Sequence, residues 1–184
     1  DIDAKAIASM RSNLKYLQNH QTEVQDIYDL DTDTLLRHFD LKKGELDLLA
    51  GGPPCQGFSI QRGGEDNDER NDLVSRYIEV VKTVRPKFFL MENVPGIVGK
   101  RGAAILEENL NKISAEGYFI HQRMLDAQNF DVPQRRKRII IIGERKDHDS
   151  PLYQYPKPND RTITVRESIG FLPPPPDDFT DHPD

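Results

Sequence analysis

In Leu46-Asp47-Leu48-Leu49-Ala50-Gly51-Gly52-Pro53-Pro54-Cys55-Gln56-Gly57-Phe58-Ser59 a short apolar run breaks off into Gly-Gly-Pro-Pro. The run is too short for a helix and is closed by chain breakers, so residues 46–50 read as a buried strand feeding a loop. The loop carries the chain's only cysteine. A second apolar run, residues 87–91, ends in Glu92-Asn93-Val94, and Gln134-Arg135-Arg136-Lys137-Arg138 stands before a third. A thiol, a carboxyl group and a guanidinium are thus each expected at a strand end.

Between these runs the apolar period changes. Ile7, Met10, Leu14 and Leu17 predict a helix over residues 3–17; Leu73, Tyr77, Val80, Val81 and Val84 predict another over 73–84, stopped by Arg85-Pro86. A third helix is expected over residues 103–115, with Gly117 just past its end. Residues 56–71 read as a polar, Gly-rich mobile loop. Residues 118–125 and 136–143 read as strands joined through Asp131-Val132-Pro133 and paired antiparallel. The fold class that follows is α/β: a doubly wound, mostly parallel sheet with an antiparallel terminal strand pair and helices on both faces.

The chain has 184 residues, 36% hydrophobic and 30% charged, which supports one sizeable core. No apolar stretch approaches the roughly 20 residues of a membrane span, and no signal-peptide pattern opens the chain. One cysteine cannot form an internal disulfide, which fits a reducing, cytosol-like compartment. The net charge of −6 argues against the whole surface binding nucleic acid, although residues 135–138 form a local cationic run. Five scattered histidines and one cysteine lack metal-ligand spacing, so no metal site is expected. After residue 150 the composition shifts to Pro, Asp and Tyr. Residues 1–150 are accordingly read as the core domain, and residues 151–184 as a Pro-rich linker.

In open α/β sheets ligands bind beyond the carboxyl ends of the strands, which would put Cys55 and Glu92 in one crevice. Strand alternation would turn Gln134, Arg136 and Arg138 to one face, and Arg135 and Lys137 to the other. A thiolate near cations is a strong nucleophile. With a carboxyl group for a ring nitrogen and an arginine for a ring carbonyl, the set suits addition to a pyrimidine. The thiolate adds at C6, and C5 then captures an electrophile. The plainer readings are a buried structural cysteine, a helix-start carboxylate and a solvated charge run.

Here the residues reach a known family. Pro54-Cys55-Gln56, Glu92-Asn93-Val94 and Gln134 to Arg138 resemble, in order and spacing, the blocks of the DNA (cytosine-5) methyltransferases, and the resemblance runs through nearly all of residues 1–172. It implies an S-adenosylmethionine-dependent, Rossmann-like catalytic domain acting on duplex DNA, with S-adenosylhomocysteine as product. Cys55 would be the nucleophile on C6, and Glu92 the group at cytosine N3 and N4. Arg138, supported by Arg136, would steady O2. Gln56, Ser59 and Gln134 would contact DNA around a base rotated out of the helix. Asp1 and Ile2 would take the cofactor's ribose and adenine, Asp26 and Ile27 the adenine side, Pro54 the methionine part, and Leu73 a further cofactor contact.

The family usually has Glu followed by an aromatic residue where this chain has Asp1 and Ile2. The Gly-rich cofactor loop is expected upstream of Asp1, and the target-recognition region after about residue 180, in the same or a complementary chain. This piece alone is expected to turn over little. A bacterial, nucleoid-associated modification methylase of the cytoplasm is implied, or a nuclear enzyme in a eukaryote. The alternatives are a tRNA cytosine-5 methyltransferase, which departs from the glutamine-led arginine block, and a non-catalytic homologue that binds DNA or a partner. A cysteine hydrolase would need a histidine base beside Cys55, and neither strand-end block has one.

Overall fold

The computed structural model describes residues 1–13, 22–54, 72–100 and 102–173. Within them lie α1 (Ala4–Asn13), α2 (Thr32–His38), β1 (Leu48–Gly51), α3 (Asp72–Val84), β2 (Phe88–Asn93), α4 (Ala103–Ala115), β3 (Tyr118–Asp126), β4 (Lys137–Arg145) and α5 (Val165–Ile169). The expected helix over 103–115 is matched residue for residue. It ends, as its terminal glycine implies, with Gly117 at φ +91°, in the left-handed region. Leu14, Leu17 and the loop expected over 56–71 lie outside the described residues.

The chain divides into two compact units. The first comprises Asp1–Met124 with Arg138–Tyr153, and the second Leu125–Lys137 with Gln154–Asp184. The sheet has the order β1-β2-β4-β3. β1 pairs with β2 in parallel, Leu49 opposite Phe89, whereas β4 runs antiparallel to β2, Glu92 opposite Ile140. β3 and β4 are antiparallel as well: Lys146 N–H donates to the Gly117 carbonyl, and Ala127 N–H to the Arg136 carbonyl. The described sheet is therefore mixed, with one parallel and two antiparallel pairings, and the mostly parallel expectation does not hold for these four strands. The reason is β4, which returns between β2 and β3 and reverses the direction at the sheet's middle.

One face carries the main core. Phe89 and Met91 of β2 line up with Ile139 and Ile141 of β4. Val74, Tyr77, Ile78 and Val81 of α3 pack there with Leu106 and Ile113 of α4. Alternation along β2 explains this, since residues 89 and 91 are fully buried while 88 and 90 are not. Both long helices thus pack into the same apolar cluster. Asn109 of α4, itself buried, donates to Ser75 Oγ of α3 at 3.1 Å and locks the two helices in register. The Tyr77 hydroxyl lies 3.1 Å and 2.9 Å from the carbonyls of Leu49 and Leu90, stitching α3 to both parallel strands. Burial pushes its phenol pKa well up, so it stays a neutral donor.

Gly143 sits directly opposite Phe89, and a Cβ there would come within 1.8 Å of the Phe89 ring. The contact is with a ring fully enclosed by core side chains, so it cannot swing away. Gly143→Ala is expected to lose ~1–3 kcal/mol or more. That amounts to a melting temperature lower by roughly 2–12 °C for a chain of this size. A thermal melt within about 1 °C of wild type would show that the ring has room to move.

The opposite face of β4 carries Glu144, 3% exposed. Its carboxylate accepts from the N–H groups of Leu152 (2.8 Å) and Tyr153 (3.0 Å), and His121 Nε2 lies 3.4 Å away. Burial alone would raise its pKa. The Tyr153 and Leu152 N–H groups and His121 outweigh it, and the net shift is downward. A lowered folded-state pKa means stability present above the unfolded carboxyl value and lost as pH falls through the folded one. Acidification is therefore expected to release the 151–153 segment from β4. In Glu144→Gln this pH dependence should flatten below about pH 5. Amide exchange at Leu152 and Tyr153, followed against pH in both proteins, reads the effect directly.

No helix among the described residues is long and apolar enough to cross a membrane. Two helices were absent from the sequence reading. α2 is only seven residues and is started by Asp31, whose side chain accepts from the N–H groups of Asp33 and Thr34. α5 in the second unit opens with a capping box between Thr164 and Glu167.

Candidate active site

β1 and β2 end side by side at Gly51 and Asn93, and antiparallel β4 begins at that same edge. Glu92 lies on the face away from the main core, one residue before the end of β2. Arg138 is two residues before Ile140, the partner of Glu92, so it stands diagonally across the strand pair. Its Nε is 2.8 Å from Glu92 Oε1. Both side chains keep partial solvent access, 24% for Arg138 and 38% for Glu92, so the pair adds little stability and chiefly orients the two side chains.

The loop after β1 runs past this carboxylate. A methyl placed on Gly52 would lie 3.6 Å from Glu92 Oε2. Asn93 is buried, and its Nδ2 donates to the Pro53 carbonyl at 2.8 Å, while its Oδ1 accepts from Val94 N–H at 2.9 Å. Pro53 is buried and Pro54 exposed. The side chain at the end of β2 thus fixes the backbone two residues before Cys55. Cys55, Gln56 and Ser59 themselves fall outside the described residues.

The alternation expected for Gln134, Arg136 and Arg138 does not apply as written, because β4 begins only at Lys137. Gln134 and Arg136 lie in the second unit and precede the strand. Arg136 is held by its backbone: its N–H donates to Asp126 Oδ1 at 3.1 Å, and its carbonyl accepts from Ala127. Both side chains are exposed. Strand periodicity was carried three residues too far, into a segment with no ladder partner to impose it.

The residues assigned to a cofactor gather in the first unit. Gln25 N–H donates to the Asp1 carbonyl at 2.9 Å, which brings Asp1 and Ile2 beside Asp26 and Ile27. One oxygen of Asp1 accepts from Asp3 N–H and one of Asp26 from Tyr28 N–H. Each carboxylate keeps a second oxygen suited to a ligand hydroxyl or amine. Ile2 is 69% exposed, an apolar surface of the kind a purine ring covers. These acceptor oxygens and the apolar surface beside them fit the adenosine half of S-adenosylmethionine. Leu73 stands in the first turn of α3, partly buried.

Sequence reasoning missed Asn93 as an anchor and did not find Arg76. The Arg76 Nε donates to the Ile27 carbonyl at 3.0 Å, and its Nη2 reaches the carbonyls of Tyr28 (3.3 Å) and Leu30 (3.5 Å). Its place on the face of α3 that carries Leu73, at a spacing of three, was the available signal.

Known proteins resemble this chain over most of its length. The chain is 38% identical over 154 residues to the Type II methyltransferase M.XorII of Xanthomonas oryzae pv. oryzae, covering 83% of this chain and 36% of that protein. It is 39% identical to the Type II methyltransferase M1.HphI of Haemophilus parahaemolyticus, covering 84% and 41% respectively. The chain thus spans about two fifths of the length of these curated relatives. Its structure superposes on a prophage-encoded E. coli protein described as a DNA modification methyltransferase, with TM-score 0.77 and 29% identity over 95% of this chain and 47% of that one. Spodoptera frugiperda DNMT2 shares the fold at TM-score 0.60 and 21% identity, over 89% of this chain and 45% of that one. The model of the C-5 cytosine-specific DNA methylases matches residues 1–180, nearly the whole sequence. That match, with the identity to M.XorII and M1.HphI over most of the sequence, shows that the chain belongs to the C-5 cytosine-specific DNA methylase family.

Proposed function

We propose that this chain is the catalytic part of an enzyme that methylates C5 of cytosine in duplex DNA, using S-adenosylmethionine and a covalent bond from Cys55 to cytosine C6. The observation that carries the reading is the Glu92–Arg138 pair, at 2.8 Å, beside a loop that Asn93 holds two residues ahead of Cys55. Bound S-adenosylmethionine supplies an electrophilic methyl group on sulfur.

The protein's own groups do the rest. The Cys55 thiolate adds to C6 and pushes electron density into C5. Glu92 hydrogen-bonds at N3 and N4, and the Arg138 guanidinium takes the negative charge that builds on O2. The 2.8 Å contact sets both groups before the base arrives, so no reorganisation is needed at the moment of attack. After C5 has gained its methyl group, loss of the C5 proton to a base expels the thiolate and restores the ring. The target carbon is hidden in a stacked duplex, so the base must be rotated out at a cost of a few kcal/mol, least where pairing is already broken. Gln56, Ser59 and Gln134 are assigned to the DNA around it. Arg136 is assigned to support the loop around the extruded base. Asp1, Ile2, Asp26, Ile27, Pro54 and Leu73 are assigned to the cofactor.

The reading is tested by incubating the complete protein, of which this chain is the catalytic part, with methyl-labelled S-adenosylmethionine and either duplex DNA or tRNA. Label recovered as 5-methylcytosine in DNA is expected. Label confined to tRNA, or to neither, would overturn it.

A further inference from the structure

We infer that Arg76 is a positioning residue for the cofactor: its guanidinium ties the Asp26–Leu30 turn to α3, so that Asp26, Ile27 and Leu73 form one wall. The inference rests on the cofactor site proposed above and goes beyond it, since Arg76 need touch no ligand.

Within the turn, Tyr28 N–H donates to Asp26 Oδ1 at 2.9 Å, which ties that carboxylate to the turn's backbone, and the backbone bonds are longer. Asp29 N–H reaches the Asp26 carbonyl at 3.2 Å, and Leu30 N–H reaches that of Ile27 at only 3.4 Å. Gln25 Nε2 adds one bond to the Asp26 carbonyl at 3.1 Å. Arg76 adds three contacts from a different element, to Ile27, Tyr28 and Leu30. Among the described residues these carbonyls are its polar partners. Below it, Val80 of α3 packs in the apolar cluster that includes Ile27 and Leu30. Leu73, Arg76 and Val80 follow one another at spacings of three and four, which is one face of α3. That face holds the turn by apolar contact at Val80 and by hydrogen bonds at Arg76.

The side-chain type matters. A planar fork with five N–H groups can serve three carbonyls of one turn at once, whereas a lysine ammonium reaches that set only by swinging between them. Without the fork, the backbone at Ile27 can shift, and with it the Asp26 carboxylate on the adjoining residue. Loss of Arg76 therefore acts on ligand affinity more than on the chemical step, which takes place at Glu92 and Arg138.

The test uses Arg76→Ala and Arg76→Lys in the complete protein, with two readouts. One is the rise in melting temperature on adding S-adenosylhomocysteine; the other is the split between KM for S-adenosylmethionine and kcat. Arg76→Ala is expected to lose most of the ligand-induced melting shift and to raise KM about tenfold, with kcat within about twofold of wild type. Arg76→Lys should fall between the two, and it carries the test should the alanine variant not fold. A variant with the wild-type melting shift and KM overturns the inference, and so does an equal fall in kcat at unchanged KM. Wild-type protein that shows neither a response to S-adenosylhomocysteine nor methyl transfer removes the proposed cofactor site itself, and the inference with it.

Discussion

Cys55→Ser is expected to abolish the covalent adduct with duplex DNA containing 5-fluorocytosine and to reduce methyl transfer below detection. Fluorine at C5 cannot leave as a cation, so the wild-type reaction stalls after methyl transfer with sulfur still bonded to C6. The adduct then survives denaturing electrophoresis. A serine hydroxyl has no accessible anion near neutral pH, whereas a thiol near cations is substantially ionised. Size and hydrogen bonding change little between the two side chains, so DNA binding should persist. That persistence separates loss of the nucleophile from loss of fold. A wild-type protein that methylates DNA without a trapped species, or a Cys55→Ser protein that still forms one, would remove Cys55 from the chemistry.

Glu92→Gln should rank second, with methyl transfer reduced ~10²–10⁴-fold, the usual contribution of a positioned acid–base group. The amide keeps the shape of the side chain but cannot give or take the proton at N3, and it no longer forms an ion pair with Arg138. The expected loss exceeds anything the ion pair could contribute to stability, because both partners are partly solvated. The melting temperature should therefore stay near wild type while turnover collapses. Trapping by 5-fluorocytosine should become slow without disappearing, since the thiol is still present. Turnover within about tenfold of wild type would place the proton chemistry elsewhere.

The two substitutions also separate what could be seen in the chain before folding from what could not. α4 was legible to the residue because its apolar positions repeat over thirteen residues and a glycine closes it. β1 and β2 were legible because apolar runs of strand length ended at sharp breakers. α2 was not, since seven residues give too few turns for a period to emerge. The capping box of α5 was present in Thr164 and Glu167 and was passed over in favour of the prolines around it. The direction of β4 against β2 could not be read at all. Parallel and antiparallel neighbours place the same alternation on a strand, and only the order β1-β2-β4-β3 shows that the sheet reverses there.

The site divides along the same line. Glu92 was identifiable near a strand's end because the apolar run before it stops there. The Glu92–Arg138 pair, the bond from Asn93 to Pro53 and the grip of Arg76 on the 26–30 turn each join residues 40 or more positions apart. What the sequence alone determined was the inventory: which reactive groups the protein carries, and on which kind of element each sits. That follows because periodicity and turn chemistry are local properties. Only the tertiary structure decided which of them meet, because a distance between side chains on separate strands depends on strand order, direction and register, and no local pattern encodes those.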